Sequence, residues 1–184
     1  MVKISSALLL LCIFITSCKK EKEVDCANAT INFSITTTAS DPCIANGTLQ
    51  VTSADVLSYK INNNPFQSTG NFTNLLPANY LLTIQNSLGC TKTDSIVIAT
   101  KNIGFLFSEV KVILATRCNS CHSGLNPQAG LDWTGNCTTV NNKDRIRARA
   151  IDGNPATMPP TGLIPLQERN KIMEWINAGG KYTD

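Results

Sequence analysis

Histidine is all but missing from this chain: one, His122, occurs in 184 residues. Charge is also sparse, with Asp, Glu, Lys and Arg making up 16% of the sequence and a formal net charge of +3. So near-neutral a balance offers no basic field of the kind that holds a phosphate backbone, and nucleic acid is not an expected partner. The apolar run from Ala7 to Ile15 stops well short of the roughly 20 residues that a membrane-spanning helix needs. No βαβ alternation surrounds a cysteine pair, which leaves no setting for a thioredoxin-like redox disulfide. Methionine is scarce as well, with only Met158 and Met173 beyond the initiator.

Cysteine is not scarce. Eight in a chain of this size suit an oxidising compartment or a dedicated cofactor rather than the cytosol. The N-terminus agrees with export: a basic start at Lys3, the apolar run Ala7 to Ile15, then the small residues Thr16 and Ser17 read as a secretory signal over residues 1–17. Ile15-Thr16-Ser17-Cys18 resembles the lipobox of bacterial lipoproteins. That resemblance implies that Cys18 is acylated and becomes the first residue of the mature chain, at the outer membrane or cell surface or facing the periplasm. The rival is an ordinary cleaved signal in which Cys18 is incidental. The polar run Lys19 to Glu23 suits a tether over residues 18–23 between an anchor and a folded part.

Residues 24–100 carry short alternating runs, Ile31 to Ile35, Thr48 to Val51 and Ser95 to Ile98, separated by turn clusters at Asn46-Gly47, Asn62 to Pro65, Pro77 to Asn79 and Leu88-Gly89. Strands spaced about ten residues apart, with no helices between them, predict a small all-β sandwich. Cys43, Gly47, Tyr59 to Ile61, Phe66-Gln67, Phe72, Leu75 to Tyr80 and Leu88 to Cys90 resemble the short immunoglobulin-like repeat of surface adhesins from gliding bacteria. The resemblance covers roughly residues 25–100 and implies a fold without a chemistry. Cys43 and Cys90 sit at the two ends of the repeat-like region, which makes them the candidate disulfide pair. Cys26 is the competing partner, and Cys137 is left either to pair with Cys26 or to remain a buried thiol.

The pattern changes after Lys101, and a second domain is expected over residues 104–184. Phe105, Val110, Ile113 and Leu114 predict an amphipathic helix running into Cys118. A further helix is expected from Asn142 to Ile151, stopping at Gly153. A last one should open near Pro165 and end at Gly179-Gly180. Cys118-Asn119-Ser120-Cys121-His122 is the C-x-x-C-H pattern of covalent haem attachment. Two thiols three positions apart on a helical turn can form thioethers to the two vinyl groups of one porphyrin edge, and the adjacent histidine then meets the iron. The competing zinc set, Cys118, Cys121, His122 and Cys137, has the right ligand types. However, the neighbouring Cys121 and His122 converge poorly on one ion.

With the motif, the helix before it, Met158-Pro159-Pro160 and the ending Glu174 to Gly180, residues 104–184 resemble a single-domain class I cytochrome c. The resemblance implies one covalent haem, His122 as proximal ligand, Met158 as the far-side ligand, and Phe107, Val110 and Trp175 at the helix crossing. Met173, beside Trp175 and Ile176, reads as core. Arg145, Arg147 and Arg149 include a candidate partner for the haem carboxylates, the other reading being a solvated helix face that at least two of them form. The Pro127 carbonyl is the expected acceptor for the second imidazole nitrogen.

The expected fold is therefore multidomain, an all-β immunoglobulin-like sandwich followed by a small all-α cytochrome c-like domain. The expected function is a lipid-anchored carrier that passes electrons to or from a redox partner protein through one His/Met haem, with no substrate of its own. The alternative is a surface binding or sensory module whose haem is structural or senses a gas.

Overall fold

Alternation of apolar and polar residues shapes the first part of the chain. In the computed structural model, which describes residues 24–184, six strands form two antiparallel three-stranded sheets. These are β1 (Ser34–Thr38), β2 (Gly47–Thr52), β3 (Val56–Ile61), β4 (Asn71–Leu75), β5 (Ala78–Asn86) and β6 (Thr91–Ile98), ordered β1-β2-β4 and β3-β5-β6. A period of two sends every second side chain inward. Leu49 and Val51 from one sheet thus share a buried core with Tyr59, Ile61, Leu82, Ile84, Ile96 and Ile98 from the other. The expected signal peptide at residues 1–17, the tether at 18–23 and the acylation site Cys18 lie outside the described residues.

Beyond residue 100 the period becomes helical. α1 (Phe105–Arg117) buries Phe107, Val110, Ile113 and Leu114, and it packs on α4 (Leu166–Ala178), which buries Ile172 and Trp175. The rings of Phe107 and Trp175 lie 5.5 Å apart. The indole N–H donates to the Lys181 carbonyl at 2.8 Å, so the one polar atom of that buried side chain is satisfied. The start of α1 is fixed by the last residues of the chain: Gly104 N–H donates to the Tyr182 carbonyl at 2.9 Å and Phe107 N–H to Asp184 at 3.1 Å. A Cβ on Gly104 would stand 2.0 Å from the Asp184 oxygen, so no larger residue fits there. Between α1 and α4 come α2 (Asn136–Asn141), α3 (Lys143–Ile146) and a wide π-helical turn over Arg147–Ile151. Among the described residues no helix is long and apolar enough to cross a membrane.

Two expectations are corrected here. The chain is not a multidomain pairing of an immunoglobulin-like sandwich with a separate all-α cytochrome c-like domain. The described residues form one small domain in which two three-stranded sheets are joined to a few helices. The change of composition at residue 100 misled, because covalent structure crosses it: Cys43, between β1 and β2, is bonded to Cys137 on α2 and packs against the helical core. The second correction follows from the same bond. Cys43 does not pair with Cys90; Cys90 pairs with Cys26 instead.

The Cys43–Cys137 bond closes a loop with a sequence separation of 94, and its loss is expected to cost about 2–5 kcal/mol. Denaturant unfolding of the Cys43→Ser/Cys137→Ser variant checks this. Peptide mapping without reduction should recover Cys26–Cys90 and Cys43–Cys137, and a Cys43–Cys90 peptide would contradict the structure.

Candidate functional site

Cys118 closes α1. Its N–H donates to the Leu114 carbonyl at 2.9 Å, and His122 N–H donates to the Cys118 carbonyl at 3.0 Å. These four-residue steps carry the helical path one turn past Arg117, which places Cys118, Cys121 and His122 on one short turn. The following loop folds back onto that turn through Gln128 N–H to the Cys121 carbonyl and Trp133 N–H to the His122 carbonyl, each at 3.0 Å. The buried Trp133 ring then lies 6.0 Å from the imidazole, centroid to centroid. Lys111 of α1 pins this loop by donating to the Trp133 and Thr134 carbonyls. Burial pulls the Lys111 ammonium below its ordinary pKa, against the opposing pull of Asp132.

The facing wall is built by the turn over Arg147–Ile151. Gly153 reverses the chain with φ of 66°, a conformation that side chains resist. The segment then returns along the turn: Met158 N–H donates to the Arg149 carbonyl at 3.0 Å, and the Arg149 guanidinium donates to the Ala156 carbonyl at 3.1 Å. Between the two walls lies a cavity of about 330 Å³, at the lower end of the roughly 300–1,000 Å³ usual for small-molecule sites. Cys118, Cys121, His122 and Met158 all line it, with Trp133 and Ile146 among its apolar neighbours.

The electrostatics of the cavity are one-sided. Arg117, Arg145 and Arg149 line it, and no aspartate or glutamate does. Arg117 is held by Glu168 in a two-pronged pair, Nε to Oε2 at 2.9 Å and Nη2 to Oε1 at 2.8 Å. That hydrogen bonding lowers the Glu168 carboxyl below its ordinary range and raises Arg117. Arg147 is not among the lining residues and pairs with Asp152 at 3.3 Å. Burial, followed by the charges of Cys121 and Glu168, pushes the Cys118 thiol up to about 11. A thiol that stays protonated at neutral pH is neither an activated nucleophile nor a poised redox thiolate.

The donor set decides what this cavity can hold. Cys118 and Cys121 are free thiols while the other four described cysteines are paired. Because Cys137 is spent in a disulfide, the four-ligand zinc set no longer exists. Two free thiols, an imidazole and a thioether around an apolar cavity fit a haem bound by thioethers, with His122 and Met158 available to the iron. The imidazole is not engaged elsewhere: its Nδ1 is buried without a hydrogen-bond partner. This also corrects the expected Pro127 contact, since the Pro127 carbonyl accepts Gly130 N–H at 3.0 Å instead.

Sequence reasoning missed two contributors. Lys111 sits on the same face of α1 as Phe107 and Leu114, and a lysine inside an apolar stripe was the available signal. Arg149, by its sequence position a candidate carboxylate partner or a solvated-face residue, instead holds the Met158 segment.

The Arg117–Glu168 pair has a definite pH signature. A carboxyl whose folded pKa is depressed stabilises the fold above its unfolded pKa and loses that contribution as pH falls through the folded value. Arg117→Met should therefore lower the unfolding midpoint modestly at neutral pH and leave it unchanged in acid below the carboxylate range. An equal shift at both pH values would contradict the pairing.

No family model, no curated protein and no solved structure matches the chain. Nor do any three or more His, Cys, Asp or Glu side chains among the described residues form a group that could hold a metal ion. The resemblances to class I cytochrome c, to adhesin immunoglobulin-like repeats and to bacterial lipoproteins are therefore not upheld as family assignments. They rested on short motifs within residues 25–100 and 104–184 and on the four residues ending at Cys18.

Proposed function

We propose that this chain is an exported electron carrier with one haem bound covalently through Cys118 and Cys121. His122 and Met158 would hold the iron. One observation carries the reading: residues far apart in sequence, the Cys118 to His122 turn and Met158, line a single apolar cavity. Bound there, the haem would supply one-electron chemistry by cycling between ferrous and ferric iron.

The protein's own residues account for the rest. Trp133 beside the imidazole and Ile146 elsewhere in the lining keep the cavity apolar, and Arg145, the lining guanidinium with neither hydrogen bond nor ion pair among the described residues, suits a haem carboxylate. With His122 and Met158 both engaged by the iron, the carrier would transform no substrate of its own. Its partner is a redox protein met through a small interface, as befits weak electron-transfer encounters. The two disulfides are compatible with export. In this reading acylation of Cys18 attaches the mature chain to a membrane, at the outer membrane or cell surface or facing the periplasm.

The test is a reduced-minus-oxidised visible spectrum of the purified protein together with a haem-stained denaturing gel. A sharp reduced α-band and haem that travels with the chain are expected, and Cys118→Ser/Cys121→Ser should abolish the staining. A colourless protein, with zinc or with no metal, would overturn the proposal.

A further inference from the structure

The segment that carries Met158 has little apolar anchorage of its own. Asn154, Pro155 and Ala156 are exposed, and Thr157 and Met158 are half-buried. Its attachment is therefore polar, and most of it runs through one residue. Arg149 accepts Met158 N–H on its carbonyl at 3.0 Å and donates from its guanidinium to the Ala156 carbonyl at 3.1 Å. The remaining backbone tie is Asn154 N–H to the Ala148 carbonyl at 2.8 Å. Among the described residues no other side chain hydrogen-bonds to residues 154–158. Of the neighbouring guanidiniums, Arg117 is engaged with Glu168 and Arg147 with Asp152, and Arg145 makes no hydrogen bond to this segment.

The position of Arg149 in the turn makes this possible. It lies in the π-helical turn over Arg147–Ile151, and such wide turns release backbone carbonyls from the regular helical ladder. One of those carbonyls takes Met158 N–H. The same residue lines the cavity, so it touches both the cavity and the Met158 segment.

We infer that Arg149 is a positioning residue for Met158: by fixing the Ala156 carbonyl, its guanidinium sets how firmly the Met158 thioether is held toward the group in the cavity. The inference rests on the haem reading above. A thioether is a weak ligand whose hold depends on the free energy needed to move the chain that bears it. A charge-assisted hydrogen bond to that chain is one of the stronger single ties available.

The test uses the haem-loaded ferrous protein titrated with carbon monoxide, with Met158→Ala measured alongside. In Arg149→Leu the carbon monoxide concentration for half-displacement should fall about tenfold, the size of effect expected from one lost charge-assisted bond. The far-red ferric band typical of methionine ligation should weaken as well. Arg149→Lys, which still donates, should restore most of both. Arg149→Met, which cannot donate, carries the same test where Arg149→Leu does not fold, as judged by circular dichroism. If the Leu and Met variants bind carbon monoxide as the parent does while M158A binds it more readily, the positioning role is overturned and the haem reading stands. If M158A also matches the parent, Met158 is not a ligand, and the inference falls with that ligation.

Discussion

The crossing of α1 and α4 is the constraint on which the site depends. Phe107, Val110, Ile172 and Trp175 meet there with no exposed surface, and each buried side chain of that size stabilises the fold by about 1.5–3 kcal/mol. The ion pairs beside the crossing, Arg117 with Glu168 and Lys171 with Glu109, are partly exposed and contribute little by comparison. Apolar packing therefore fixes the position of α1, and the ion pairs refine its register. Because Cys118 ends α1, the thiol and imidazole turn is delivered to one edge of the helical core with its geometry already set.

Around that edge the chain assembles walls of different character. The wall bearing His122 is held by Lys111 from α1 and by two backbone bonds that tie its loop to the motif. The wall bearing Met158 hangs from the Arg147–Ile151 turn by a few hydrogen bonds. The lining is cationic, and of its three guanidiniums Arg145 alone is uncommitted among the described residues.

Much of this was legible in the sequence, for identifiable reasons. Apolar spacing located α1 and α4, and the glycines at 179 and 180 marked the end of α4, because those signals are local. The C-x-x-C-H spacing picked out Cys118, Cys121 and His122, and the proline pair after Met158 marked the segment that meets them. Long-range covalent pairing was not legible: nothing local tells Cys43 to seek Cys137 rather than Cys90, and that one pairing turns two apparent domains into one. The bond from Arg149 to the Met158 segment was hidden as well, since a guanidinium reaching a backbone carbonyl seven residues on leaves no periodic trace. The family resemblances drew on short stretches whose fit says little about the loops and sheets that surround them.

The most direct test of the central claim is mass spectrometry of the purified exported protein after exhaustive thiol alkylation and extraction of non-covalent haem. The account predicts that the peptide spanning Cys118 to His122 is heavier by one haem and carries no alkyl group. Two alkylated cysteines on that peptide, with no haem mass retained, would contradict it.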